Sequence, residues 1–181
     1  MLFLNTLDVQ LANEVVLEQN LFFHLRYNYR QNKWLTYEAF SQYQRNVPLR
    51  INERILAGVG PRIRILEEEK SSIFIGLIGM YEHDDELNNE IIHRDVRLSN
   101  YLTLNLAWKD RLEWSNYLYY QPRVDNWEDF RTSVQTLLKL KLLKNLAFAT
   151  TLSLAYDAFP VVDPAIPQLT VKWLNGITYQ F

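Results

Sequence analysis

The sequence predicts an all-β protein, an antiparallel up-and-down transmembrane β-barrel with about ten strands in its 181 residues. Three observations predict this fold. Apolar and polar residues alternate with a period of two along most of the chain. The predicted strands are long, because globular strands average ~5–6 residues whereas a tilted strand that crosses a bilayer needs ~9–11. Tight turns alternate with longer loops, as in outer-membrane barrels.

The strands of the N-terminal half are predicted from alternation of uneven quality. Strand 15–29 places leucine and aromatic side chains opposite His24 and Arg26, and strand 50–66 places isoleucines opposite three arginines. Strands 33–46 and 71–83 are the weakest, because apolar side chains interrupt their polar face. These side chains are Phe40, Phe74, Ile78 and Met80. The first strand, 2–11, completes this half.

The strands of the C-terminal half alternate more regularly, and they are predicted over 92–108, 111–123, 128–142, 145–158 and 168–181. Two of them define the faces most clearly. In strand 145–158, leucine and aromatic side chains alternate with alanine, serine and threonine, so Thr151 and Ser153 are predicted to point into the barrel. In strand 168–181, Lys172 is predicted to point inward as well. The side chains predicted to face outward are Leu146, Phe148, Leu152, Leu154, Leu169, Val171 and Ile177.

The connections between strands predict the orientation of the barrel. Tight turns are expected at 31–32, 67–70, 109–110 and 143–144, and the longer segments 84–91 and 159–167 fall at the opposite end. Outer-membrane barrels have short periplasmic turns and longer external loops. The pattern therefore predicts the outer membrane of a Gram-negative bacterium, with the C-terminus in the periplasm.

The N-terminus predicts that residues 1–181, read as one barrel domain, lack a signal peptide and the first strands of the parent protein. The opening segment has no basic start, and Asp8 interrupts its apolar run. Bacterial barrels have an even number of strands. About two further strands before Met1 would give about twelve.

The C-terminal run is the sharpest signal of membrane assembly. Trp173, Ile177, Tyr179 and the terminal Phe181 place apolar or aromatic side chains at alternate positions up to the last residue. This resembles the signature by which barrels are recognised for assembly, so outer-membrane lipid and the barrel-assembly machinery are the expected partners. Aromatic residues also gather near strand ends, as in the girdles of membrane barrels. They are Tyr27, Tyr29, Trp108, Trp114, Tyr120, Trp127, Tyr179 and Phe181.

Composition removes several other classes of function. Cysteine is absent, so disulfides, thiolate catalysis and cysteine metal sites are excluded. The net charge of −2 gives no support to nucleic-acid binding. No stretch approaches the ~18 apolar residues of a transmembrane helix. The acidic run 82–86 with His93 lacks the spacing of a known calcium loop, so a solvated external loop is predicted, with no metal and no cofactor.

A surplus of basic residues on the polar face is the candidate functional feature. One interpretation is an anion-favouring pore, because charge of one sign in a low-dielectric wall enriches the opposite ion. The other is a salt-bridged interior, in which these cations pair with Glu18, Glu38, Glu113 and Asp157. The predicted lumen-lining basic residues are Arg26, Arg54, Arg62, Arg64, Arg97, Arg111, Arg131, Lys139, Lys141 and Lys172.

The predicted function is therefore an integral outer-membrane β-barrel, either a small anion-favouring channel or an envelope-structural protein. A lipid-modifying barrel enzyme is the first alternative, but no histidine has an evident serine partner at the lipid boundary, so no enzyme is predicted. His24 falls on the polar face, whereas His83 and His93 fall at a loop. A soluble ligand-binding barrel is the second alternative, and an apolar interior would favour it.

Several segments together resemble a family of outer-membrane β-barrels of unknown function that includes the salt-induced outer-membrane proteins, in its Bacteroidetes-like form. The resemblance spans about residues 20–181 and implies a barrel of unassigned function, with turns and girdles matching rather than catalytic motifs. The family pattern has further N-terminal sequence that this chain does not match. The matching segments are 34–40 (WLTYEAF), 54–62 (RILAGVGPR), 97–103 (RLSNYLT), 120–122 (YQP), 129–131 (DFR) and the ending from Tyr156 to Phe181.

Overall fold

The computed structural model describes the backbone of residues 2–12, 15–87, 91–109, 111–160 and 166–179, with side chains from residue 20 onward. These residues form ten strands. No helix among them is long and apolar enough to cross a membrane. The strands are β1 (Leu2–Ala12), β2 (Val15–Arg30), β3 (Leu35–Asn46), β4 (Ile51–Glu67), β5 (Ser72–Glu86), β6 (Ile92–Trp108), β7 (Leu112–Pro122), β8 (Phe130–Lys141), β9 (Leu146–Asp157) and β10 (Leu169–Tyr179).

All ten strands belong to one antiparallel sheet whose spatial order is the order of the sequence, from β1 to β10. Each strand pairs with its neighbours in the chain through hairpin connections. The predicted all-β, up-and-down fold is therefore confirmed, and most strand boundaries agree with the prediction to within one or two residues. Within the described residues the ladder between β1 and β10 that would close the sheet is not formed.

The sheet is strongly curled, so that strands distant in its order touch across one concave face. Strands β3 and β6 would lie ~14 Å apart in a flat sheet, at the usual ~4.8 Å spacing. Yet the Tyr101 hydroxyl on β6 donates a hydrogen bond of 2.7 Å to Glu38 on β3. The guanidinium of Arg26 on β2 lies 6.0 Å from the Tyr101 ring. The concave face therefore forms a narrow interior.

The two faces of the sheet follow the period-two alternation. On β10, Thr170 and Thr178 line pockets of the concave face, which places Trp173 and Ile177, of opposite parity, on the convex face. On β9, Ala155 and Asp157 line an internal cavity, which places the leucines that alternate with them on the convex face. This is the predicted arrangement of Leu146, Phe148, Leu152 and Leu154, and of Leu169, Val171 and Ile177 on β10.

Two glycines allow the concave face to pack closely around β5. A Cβ atom at Gly60 on β4 would overlap the carbonyl oxygen of Leu77 and lie 2.8 Å from the Cα of Ile78. A Cβ atom at Gly76 on β5 would overlap the ring of Tyr101. Only glycine leaves room for these approaches, because any other side chain begins with the atom that would collide.

The connections divide the molecule into a turn end and a loop end. The turn end carries the short connections 31–34, 68–71, 109–111 and 142–145, and the loop end carries the connections 47–50, 87–91, 123–129 and 158–168. Backbone hydrogen bonds close the turns, as in Glu68 N to Ser71 O at 2.8 Å. The predicted alternation of tight turns and longer segments is present.

Candidate functional site

The centre of the candidate site is Glu82, a carboxylate on β5 that is 0% exposed. Three arginines surround it, each from a different strand. Arg97 on β6 approaches with Nε at 2.7 Å, Arg54 on β4 with Nε at 3.2 Å, and Arg131 on β8 donates a short hydrogen bond. A buried charge is tolerated only when it is paired and hydrogen-bonded. Glu82 therefore ties four strands together through charge.

The pairs continue from Glu82 toward the loop end. Arg97 Nη2 donates to Asp129 at 2.8 Å, and Arg131 Nε donates to Asp157 at 2.9 Å. Asp84 accepts from Arg54 at 3.0 Å. We call this set the loop-end cluster. Its cations are Arg54, Arg97, Arg123 and Arg131, and its acids are Glu82, Asp84, Asp95, Asp129 and Asp157.

A second group of charges lies nearer to the middle of the strands. Glu38 on β3 is buried, and its carboxylate lies 3.4 Å from Arg26 Nε and 4.0 Å from Arg62 Nη1. Tyr101 donates to the same carboxylate. The Arg62 guanidinium stacks at 4.0 Å from the ring of Phe74, a favourable cation–π distance. These contacts fill the concave face between β2 and β6.

A cup of about 830 Å³ opens at the loop end, and side chains of both charged groups line it. Its wall is mixed, with paired arginines and carboxylates beside apolar side chains such as Phe40, Met80 and Phe159. At the loop end, the Arg123 guanidinium donates to Asp125 and holds the pKa of that carboxyl below its usual range. The cup is large enough for a small ligand, and its described charged side chains are balanced between cations and acids.

A smaller pocket of about 300 Å³ lies on the concave face at the turn end, and it has a different electrostatic character. Four cations line it, namely Arg111, Lys139, Lys141 and Lys144, and Glu113 is the one acid among its described lining residues. Lys139 Nζ lies 3.4 Å from the Glu113 carboxylate, in an exposed pair. The basic surplus of the concave face is therefore concentrated at this end.

The prediction that the acidic run 82–86 forms a solvated loop is wrong. Strand β5 extends to Glu86, and both Glu82 and Asp84 are buried on its concave face. The reason is the alternation itself, which points 82 and 84 toward the arginines of β4, β6 and β8. Glu82 and Asp84 could have been assigned to the concave face because they alternate with outward-facing residues of β5, but their charge suggested that they were exposed to solvent.

The predicted lumen-lining residues divide into three groups in the structure. Six arginines of the concave face lie within 4.0 Å of a carboxylate, and they are Arg26, Arg54, Arg62, Arg64, Arg97 and Arg131. Arg111, Lys139 and Lys141 line the turn-end pocket. Lys172 is exposed on β10. Of the acids weighed as partners, Glu38, Glu113 and Asp157 form pairs, and the side chain of Glu18 lies outside the described residues.

The residues of the predicted assembly signal lie on the convex side of β10. Trp173, Ile177 and Tyr179 are all exposed there, and the Trp173 indole donates a 2.8 Å hydrogen bond to Thr150 on β9. Phe181 lies outside the described residues. The predicted girdle aromatics that the structure describes are exposed as well, namely Tyr27, Tyr29, Trp108, Trp114, Tyr120, Trp127 and Tyr179.

The histidines form no arrangement typical of a catalytic or metal site. His24 is buried on the concave face, where its Nδ1 lies 3.3 Å from Gln42 Oε1. His93 Nε2 lies 2.8 Å from Glu86 at the loop end. Across the described part of the chain, no group of three or more histidine, aspartate and glutamate residues is placed to hold a metal ion.

Comparison with known proteins gives one family and one solved structure. The model of the family described as "Protein of unknown function, DUF481" matches residues 5–163. The structure of "KdgM porin in complex with disordered oligogalacturonate" is similar over 96% of this chain and 81% of that chain, with 12% sequence identity and a TM-score of 0.46. No curated protein matches the chain.

Proposed function

This chain belongs to the DUF481 family of proteins of unknown function, and we propose that it is an outer-membrane β-barrel whose interior is closed by buried ion pairs. In this proposal the protein is an envelope-structural barrel that conducts little in its resting form. The observation that carries the proposal is Glu82, which has no exposed surface and is held by arginines from three strands.

The convex face supports the membrane location. Large apolar and aromatic side chains are exposed along β2, β4 and β10, and a soluble protein would leave such a surface in water. The described strands span 11 to 17 residues, enough for a tilted crossing of a bilayer. On the opposite face, the charged side chains of the loop-end cluster are paired within the interior, away from lipid. Apolar outside and polar inside is the arrangement of membrane barrels.

The membrane location predicts that arginine is tolerated on one face of β9 and not on the other. Leu152→Arg places the charge on the convex face, where it should cost about 2–4 kcal/mol of folding free energy in a lipid bilayer. Thr151→Arg, one residue away, places the same charge on the concave face, away from lipid, and should cost less. Denaturant titration of both variants in lipid vesicles measures the difference. Equal costs would contradict the assignment of the faces.

The closed interior predicts that the full-length protein gives little current in a planar bilayer. Removing the Arg131–Asp157 pair by the double change Arg131→Ala with Asp157→Ala should raise the conductance, because the Arg131 side chain that reaches across the interior to Glu82 is lost without a change in net charge. The control is Lys139→Ala with Glu113→Ala, which removes an exposed pair from the turn end. A large steady current in the unmodified protein would disprove the closed interior.

A small anion-favouring channel is the second candidate, and the four cations of the turn-end pocket favour it. Surplus positive charge at one mouth attracts anions toward the interior. The same recordings in a salt gradient distinguish the candidates, since an anion channel gives a steady current with an anion-directed reversal potential. A cation-directed reversal potential would reject the anion channel.

A further inference from the structure

The turn-end pocket holds the basic residues that the ion-pair clusters do not use. Arg111, Lys139, Lys141 and Lys144 surround about 300 Å³ of open volume, and Glu113 is the only acid among the described residues that line it. The lining thus carries four positive charges against one negative charge. Cations at this density repel one another unless an anion lies between them. We propose that this pocket binds a phosphate group.

The backbone holds the lining residues in a defined arrangement. Lys141 N donates to Arg111 O at 2.8 Å, which fixes the end of β8 against the turn before β7. In the sheet register, Glu113 lies opposite Lys139, and Lys141 lies opposite Ala147, which in turn lies opposite Thr178. Because Ala147 and Thr178 are small, the floor beside the Lys141 ammonium stays open. The pocket is therefore part of the sheet rather than a chance gathering of surface lysines.

The charge and the volume favour phosphate over other anions. Lys139 is paired with Glu113 at 3.4 Å, which leaves three cations for a ligand. A phosphate monoester has a charge of about −1.5 to −2 at neutral pH and three acceptor oxygens. The guanidinium of Arg111 can bind two of those oxygens, and lysine ammonium groups donate to the others. A volume of about 300 Å³ admits the phosphate with a small attached group and excludes a long polymer.

The loop-end cup differs from the turn-end pocket in the pairing of its cations. In the cup, the arginines Arg54, Arg97 and Arg131 already have carboxylate partners. An incoming anion would have to displace those partners and leave buried acids unpaired, which is costly. In the turn-end pocket, an incoming anion would instead neutralise cations that are in surplus over the acids of the lining. The proposed site does not depend on whether the interior conducts, so its failure and that of the proposed function are distinguishable.

The experiment is a calorimetric titration of the full chain in detergent micelles with sodium diphosphate and, separately, with glycerol phosphate. We expect one bound ligand per chain. Lys141→Gln with Arg111→Gln should weaken binding by at least ~tenfold, since two charge-assisted contacts are lost. The matched control is Lys33→Gln with Lys172→Gln, which removes the same charge outside the pocket and should leave affinity within about twofold. Equal weakening in both variants would overturn the site in favour of diffuse attraction.

A third variant tests the pocket without changing its charge. Ala147→Leu fills the floor beside Lys141 and should reduce affinity to the level of the double variant. Unchanged affinity in this variant would overturn the proposal. A lipid source of the phosphate is tested with vesicles of phosphatidic acid, compared with vesicles of phosphatidylcholine. Binding to phosphatidic acid without binding to either soluble phosphate would assign the site to a lipid headgroup, and absence of binding to all phosphates would disprove it.

Discussion

Glu82→Gln is expected to remove about 3–5 kcal/mol from the free energy of unfolding, the range for breaking a buried ion pair. The change keeps the size of the side chain and removes its charge. Arg54, Arg97 and Arg131 would then lose the carboxylate they share, and three guanidinium groups would be left with one fewer acid to balance them in a largely buried cluster. Denaturant titration in lipid vesicles, followed by tryptophan fluorescence, measures the loss.

Glu113→Gln is the matched control for this change. It is the same substitution on the same concave face, but the Glu113 side chain is 64% exposed and has a single lysine partner. An exposed pair of this kind contributes about 0–1 kcal/mol. A loss at Glu82 no larger than the loss at Glu113 would show that the loop-end cluster does not stabilise the fold.

The second large effect is expected at a glycine. Gly60→Ala adds a Cβ atom that would overlap the carbonyl oxygen of Leu77, and backbone cannot swing aside as a side chain does. Strands β4 and β5 would have to separate locally, so we expect a loss of about 1–3 kcal/mol, typical of overpacking, or failure to fold. Thermal unfolding in micelles and the heat-dependent mobility of the folded protein on gels both report the loss.

The chain offers a control for the intrinsic effect of replacing glycine. Gly176 lies on β10, and a Cβ atom there would meet no atom within 4 Å. Gly176→Ala should therefore be neutral or slightly stabilising, since alanine loses less conformational freedom on folding. If Gly60→Ala is as well tolerated as Gly176→Ala, the close approach of β4 to β5 is not a constraint on the fold.

The architecture could be predicted from the sequence because alternate residues of a strand face different environments, so that apolar and polar residues alternate along it. The faces of β9 show this most clearly, where large apolar residues alternate with small or polar ones, with Thr150 as the one exception on the apolar face. The same rule explains the weak segments. Ile78 and Met80 interrupt the polar face of β5 because the concave face is packed there, with Ile78 only 1% exposed. A uniformly water-filled interior would not place apolar residues such as Ile78 and Met80 on this face.

The charge pairing was only partly predictable. Parity placed the arginines on one face, and three of the four acids considered as partners do form pairs. Parity cannot show which acid reaches which arginine across the interior, because that depends on how tightly the sheet curls. Asp129 was missed for a further reason, since it lies in the connection before β8 and has no strand face. The pocket at the turn end likewise depends on the register that places Ala147 opposite Lys141.

The loop-end cluster joins strands that are not neighbours in the sheet, and this has a consequence for biogenesis. Glu82 on β5 meets Arg131 on β8 only when the sheet has already curled. A β4–β5 hairpin that entered the bilayer alone would carry Glu82 with Arg54 as its only arginine partner. Arg97 on β6 and Arg131 on β8 would lack the Glu82 carboxylate until their strands joined it, and an unpaired charge in hydrocarbon costs about 2.5–3.5 kcal/mol. For the proposed membrane barrel, we infer that β4 to β8 enter lipid together, with their charges neutralised beforehand. The ion pairs then favour membrane insertion of the assembled strands β4 to β8 and disfavour insertion of the separate hairpins.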